Sequence, residues 1–182
     1  MSVVAGDGRL SILKYKGDTG KYDIIIVDAF SGGGIPTHLL TTEAIEVYKN
    51  RLAPRGLLVF HITNRYYDLR PVLKSISDAL HLSGAMSSYI YHLKEYEEES
   101  LYVVLANHST QLEPLLNRGW KRFGDDDGLQ NITAWTDDYI NILATLKQAT
   151  ILSDEMKMLL TMHKNRMTVH RNQVDKYSAL HG

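Results

Sequence analysis

The stretch that decides the fold is "KYDIIIVDAFSGGGIP", Lys21 to Pro36. Tyr22 to Val27 is a near-continuous apolar run rich in isoleucine. Its length and β-branched content predict a strand covered on both faces, as in a parallel sheet. The run ends on one acid, Asp28, and the chain then enters a glycine-rich loop. In open α/β sheets, ligands sit beyond the carboxyl ends of the strands. An acid at such an end costs desolvation unless it faces a cleft or finds a partner. Two roles stay open for Asp28. It caps the following loop through backbone amides, or it holds a cationic amine in a cleft and takes its proton. The loop is not a phosphate cradle, because no Gly-Lys-Ser/Thr follows the glycines. It reads as a flexible loop beside a pocket.

Upstream, Val3-Val4-Ala5 is a short apolar start closed by Gly6-Asp7-Gly8. The two glycines let the backbone approach a ligand, and Asp7 can accept from an amino group; a plain turn is the alternative. Arg9 to Lys16 reads as a short helix with Leu10 and Leu13 inward, and Gly17 to Gly20 as a turn. Downstream, Thr41-Thr42-Glu43 starts a helix with cap hydroxyls and an acid in the first turn. Ala44, Val47, Tyr48 and Leu52 recur at helical spacing, and Pro54 and Gly56 stop the helix. "GLLVFHIT", Gly56 to Thr63, is the next buried strand. Asp68 caps another helix, with Pro71 in its first turn and Leu69, Val72, Leu73, Ile76 and Leu80 on one face. Gly84 is its expected stop. "SSYIYHL" and "SLYVVLAN" are two strands joined by the polar "KEYEEE", an antiparallel hairpin.

The order strand, helix, strand, helix, strand, strand predicts an α/β domain: a mostly parallel sheet ending in an antiparallel hairpin. After Asn107 the pattern weakens. Leu112 to Leu116 suits a short helix, "GDDDG" a surface loop, and Asp137 or Asp138 a helix start running to Leu146. Ser153 to about Tyr177 reads as a helix with Met156, Leu159, Leu160, Met167 and Val174 on a loose apolar face. The expected division is residues 1–146 as the α/β domain and 147–182 as a helical C-terminal extension.

Composition sets the outer bounds. The chain has 182 residues, 44% hydrophobic and 23% charged, with a formal charge of −1. That is ordinary for a soluble globular protein and gives no overall basic footprint for nucleic acid or anionic membrane. No run approaches the roughly 20 apolar residues of a membrane span, and no signal peptide pattern opens the sequence. With no cysteine there is neither a disulfide nor a thiolate site. A cytoplasmic protein is expected. His38, His61, His92 and His108 show no metal-ligand spacing, and His163 with His170 gives two ligands at most, so no metal is expected. Trp120 and Trp135 read as packing residues. Asp137 and Asp138 either cap a helix or line a cationic pocket. Tyr66 and Tyr67, after a strand end, either wall a pocket or pack on the surface.

Three segments taken in order carry a family resemblance: "VVAGDGRLSIL", "YDIIIVDAFSGGGIPTHLLTTEAIEVYKNRLAPRGLLVFHITNRYYDL" and "WTDDYINIL". Over roughly Val3 to Leu146 the chain resembles the spermidine synthase family, the polyamine aminopropyltransferases, and most of all its bacterial spermidine-synthase-like group. The resemblance implies a fold like that of class I methyltransferases, Rossmann-like, and aminopropyl transfer from decarboxylated S-adenosylmethionine to a diamine such as putrescine. It implies Asp28 as the catalytic aspartate, Asp7 beside the donor's adenine and Gly6 and Gly8 shaping that turn. The amine side would involve Ser31, which stands where many members carry a second acid, with Asp138 and Tyr66. No tightly bound cofactor is expected; the donor is a co-substrate. The family's glycine-rich first turn has no counterpart before Gly6, so the resemblance implies a chain that begins midway through the fold. The strand holding Asp28 would then be an exposed apolar edge, covered by the N-terminal residues or by a second copy in a dimer. The alternative function is a catalytically inactive remnant, or a binding or assembly module.

Overall fold

The computed structural model describes residues 3–14, 21–30, 34–64, 66–87, 100–123 and 129–147. The chain divides into Met1–Thr145 and Leu146–Gly182, and every element below belongs to the first. Ser31, most of "SSYIYHL", the "KEYEEE" connector, the "GDDDG" loop, the turn at residues 17–20 and the helix expected from Ser153 lie outside the described residues.

Strand and helix form where the local pattern places them. Strand β1 is Tyr22–Val27. Helix α2 is Thr42–Arg51. The Thr41 hydroxyl accepts from the Ala44 amide at 3.2 Å, and Glu43 sits in the first turn, so the helix start is both capped and charge-matched. Ala44, Ile45 and Tyr48 form its buried face. Strand β2, Leu52–His61, follows at once, earlier than the glycine that was expected to open it. Tyr22 pairs with Leu52 but Ile24 pairs with Leu57, so β2 bulges between these points. Gly56 allows that bulge: a Cβ there would lie 2.8 Å from the Tyr22 carbonyl oxygen. Helix α3, Arg70–Ala79, carries Pro71 in its first turn and buries Val72, Leu73 and Ile76. The Asp68 carboxylate accepts from the Arg70 amide and guanidinium, which fixes the helix entry.

Strand β3 is Ser83–Met86 and β4 is Tyr102–Ala106. Gly84 therefore lies inside a strand and does not end α3. His81, at φ 54°, is the left-handed residue beyond α3. Gly84 is small because the ring of Phe123 occupies the space of a Cβ. Short pieces complete the unit: α1, Gly8–Lys14, α4, Glu113–Leu116, and β5, Lys121–Arg122. Val3 to Ala5 is not a strand. Asp137 and Asp138 start no helix; one 3-10 turn forms at Ile142–Thr145.

The sheet order is β1-β2-β4-β3-β5. Only β1 and β2 pair in parallel; β2–β4, β3–β4 and β3–β5 are antiparallel. The fold is α/β with a mixed sheet, which corrects the expectation of a mostly parallel one. β4 pairs antiparallel with β3, but that strand is Ser83–Met86, upstream of the "SSYIYHL" expected there, and β4 inserts between β2 and β3. One sheet face presents Ile25, Val27, Leu58, Phe60, Val103 and Leu105 to α2 and α3, forming the main core. Phe30 and Phe60 are fully buried there, each worth about 1.5–3 kcal/mol of apolar transfer. On the other face Val104, Ala85 and Ala106 pack under Leu112, Leu115, Leu116 and Trp120. That cover stops short of β1. Ile24 and Ile26 are 55% and 65% exposed, so β1 is buried on one face, not two. Leu10 and Leu13 of α1 also point outward, and Ile12 is the residue that packs against the core. Among the described residues no helix is long and apolar enough to cross a membrane.

Candidate functional site

Side chains alternate along a strand, so the residue after β1 and the last residue of β2 can be placed by parity. Val27 pairs with Phe60, both buried. The next residues, Asp28 and His61, stand side by side on the opposite face at the carboxyl ends of parallel strands. The His61 Nδ1 lies 2.8 Å from Asp28 Oδ1. His61 is opposite Tyr102 in the antiparallel ladder, and their rings stack at 4.7 Å with an interplanar angle of 22°. Tyr102 in turn exchanges bonds with Ser87: its amide donates to the Ser87 hydroxyl, and the Ser87 amide donates to its carbonyl. Asp28, His61, Tyr102 and Ser87 thus form one row across four strands at the rim of the sheet.

The two members of the pair differ in exposure. The Asp28 side chain is 58% exposed and that of His61 only 18%. The histidine bond at Oδ1 is the one hydrogen bond of the Asp28 carboxylate among the described residues, so Oδ2 has none there, on a side chain that is more than half exposed. His61 Nε2 is buried and has no hydrogen-bond partner among the described residues. A carboxylate so placed can bind a cation or receive a proton from solvent-side chemistry. Sequence reading weighed His61 only as a metal ligand. The signal that finds it is the matching ends of two strands, "IVD" and "VFH", aligned in parallel register.

Behind this rim, Asn64 joins the loops that leave β1 and β2. Its Nδ2 donates to the Phe30 carbonyl at 2.8 Å, and its Oδ1 accepts from the amides of Tyr66 and Tyr67. Asn64 is buried, and sequence reading missed it. Tyr66 is exposed next to it, at the same strand end as His61.

A second polar cluster gathers around α1. The Asp7 Oδ1 accepts from the Leu10 amide at 2.8 Å, and its Oδ2 lies 2.7 Å from His38 Nε2. The Leu10 amide, and after it His38, holds the Asp7 carboxyl below its ordinary range. Asp7 thus caps α1, and Gly6 precedes it at φ 139° while Gly8 begins the helix. Arg9 reaches across to Asp137 with two bonds, 2.7 and 2.8 Å, and the Thr41 hydroxyl donates to the same carboxylate at 2.8 Å. The guanidinium, first of these, pulls Asp137 down to about 2, and the carboxylate raises Arg9 in return. Burial pushes the nearby Tyr48 hydroxyl up to about 12. Asp138, like Asp137, is exposed, but the bonds to Arg9 and Thr41 are made by Asp137.

The predicted residues are therefore split. No hydrogen bond or ion pair links the Asp7 cluster to Asp28 among the described residues. A pocket of about 240 Å³ lies elsewhere, lined by Gln130, Asn131, Thr133, Trp135, Tyr139 and Asn141 among others, and none of the predicted site residues borders it. Trp135 is fully buried, as expected for a packing residue. Among the described residues no group of three His, Asp or Glu could hold a metal ion.

Comparison with known proteins gives partial matches. No protein-family model matches the chain. A polyamine aminopropyltransferase of Vibrio vulnificus (strain CMCP6) is 40% identical over 68 residues, 36% of this chain and 23% of that protein. The crystal structure of MNMC2 from Aquifex aeolicus superposes at a TM-score of 0.41 and 20% identity, covering 64% of this chain and 35% of its own. The chain matches less than a quarter of the curated relative's length, and the relationship to the aminopropyltransferases is a loose one.

Proposed function

We propose that the chain is a spermidine-synthase-like protein whose reaction is aminopropyl transfer from decarboxylated S-adenosylmethionine to a diamine such as putrescine. The observation that carries this reading is Asp28: an exposed carboxylate at a strand's carboxyl end, with Oδ2 unbonded among the described residues. The partial match to a polyamine aminopropyltransferase supports the same reading. A diamine arrives as a cation, and only its neutral amine attacks. Asp28 attracts the cation, aligns the nitrogen and accepts the proton. The amine nitrogen bonds the carbon next to the sulfonium, the C–S bond breaks, and its electron pair stays on a neutral thioether.

In this reading Gly6, Asp7 and Gly8 meet the donor's adenine. Both Asp7 oxygens are engaged, so the adenine amino group would replace the exposed His38 on Oδ2. Ser31, Asp138 and Tyr66 are proposed on the amine side. The partner proposed for the open edge of β1 is a second copy of this chain, because Ile24 and Ile26 stand exposed on β1, which is an end strand of the sheet.

The test is to incubate the protein with putrescine and the decarboxylated donor and to assay spermidine and methylthioadenosine. Asp28→Asn is expected to lower turnover by about 100-fold or more, the range of a lost general base. Absence of turnover, or turnover indifferent to Asp28→Asn, overturns the reading.

A further inference from the structure

We infer that His61 is a positioning residue for Asp28, held in the tautomer that carries its proton on Nδ1, and that it does not relay protons. Three observations converge. The Nδ1 of His61 is 2.8 Å from Asp28 Oδ1, and an ionised carboxylate can only accept, so Nδ1 must donate. Nε2 is buried and has no partner among the described residues, so a proton there would find no acceptor among them. The ring is stacked on Tyr102, directly opposite it in the β2–β4 ladder, which fixes its plane. The tautomer of an imidazole is set by the bond its other nitrogen makes. Among the described residues only one nitrogen makes a bond here.

This arrangement reverses the usual order of a histidine–carboxylate pair. In a Ser-His-Asp triad the carboxylate is buried and the histidine faces the substrate. Here the histidine is the inner group and the carboxylate the outer one. A proton taken by Asp28 cannot pass through His61, because that passage requires release from Nε2. It leaves from Oδ2 to water. The contribution of His61 is to hold Oδ1, stop rotation of the carboxylate, and present Oδ2 in a fixed direction. A lone aspartate at an exposed sheet edge would otherwise spread over several rotamers.

The consequence for rate rests on the aminopropyl-transfer reading; the tautomer does not. Nitrogen NMR of the imidazole in the wild-type protein is expected to show a protonated Nδ1 and a bare Nε2 at neutral pH. Asp28→Asn, whose amide can either donate or accept, is expected to relax that preference toward a mixture. A proton on Nε2 in the wild type, or a tautomer unaffected by Asp28→Asn, overturns the inference even if the enzyme turns over. For the reaction, His61→Phe keeps a ring on Tyr102 but removes the donor. It is expected to lower kcat about 10–100-fold with little change in KM for the amine, the cost of a misaligned group. His61→Asn restores an N–H near the position of Nδ1 and is expected to recover most of the loss. Equal loss in both variants overturns the positioning role. Absence of turnover in the wild type removes the aminopropyl-transfer reading and leaves the NMR result to decide the tautomer.

Discussion

Replacing Asp137 by asparagine tests whether the strap around residues 135–137 is fastened electrostatically. The carboxylate takes two bonds from Arg9 and one from Thr41, and its amide donates to Glu43 at the start of α2. Its acidity is shifted from 3.8 to about 2. At about 1.4 kcal/mol per unit, that shift sets an upper bound near 2.5 kcal/mol. The side chain is 43% exposed, so solvent screening reduces the expected value to about 1 kcal/mol. The folded-state value is depressed, so the contribution is complete above the unfolded value near 3.8 and is lost as pH falls through about 2. Urea unfolding followed by tryptophan fluorescence should show Asp137→Asn less stable by about 1 kcal/mol at neutral pH. The deficit should shrink in about 1 M salt and close as pH approaches 2. A deficit that persists unchanged at pH 2, or none at neutral pH, refutes the ion-pair account. A double-mutant cycle with Arg9→Met should return most of the same energy as coupling.

Two further outcomes follow from the fold. Gly56→Ala would place a Cβ against the carbonyls of Tyr22 and Ala53, at 2.8 and 3.1 Å, atoms that cannot swing aside. Stability should fall by about 1–3 kcal/mol in urea titration, and an unchanged midpoint would contradict the tight bulge. Ile24→Lys combined with Ile26→Lys, both on exposed positions, should lower the mass seen by light scattering to that of a monomer. Their effect on stability should stay near 0.5 kcal/mol; an unaltered assembly mass would dismiss the β1 edge as the contact.

Local pattern was enough for β1, α2 and α3, because a β-branched run, a capped start and a helical apolar face act over a few residues. It failed where the deciding partner is distant. The apolar run of β1 gave no information on strand order, so the exposure of Ile24 and Ile26 could not be read from it. Gly84 looked like a helix stop because glycine serves both helix ends and close approaches, and Phe123 decides between them. In the short α1, two leucines were too few to fix which side faces inward. Asp137 looked like a cap, but its partner Arg9 lies 128 positions away. The acid at residue 28 was legible as a candidate; His61, which holds it, required the pairing register of β1 and β2.

The amide of Asn64 spans two connections, gripping the Phe30 carbonyl with one end and the backbone of Tyr66 and Tyr67 with the other. Mechanically, Phe30, Asn64, Tyr66 and Tyr67 are therefore tied into one piece. An incoming molecule that lifts either connection must lift both or break a buried clasp. Opening at this rim should be concerted, with a single rate shared by both.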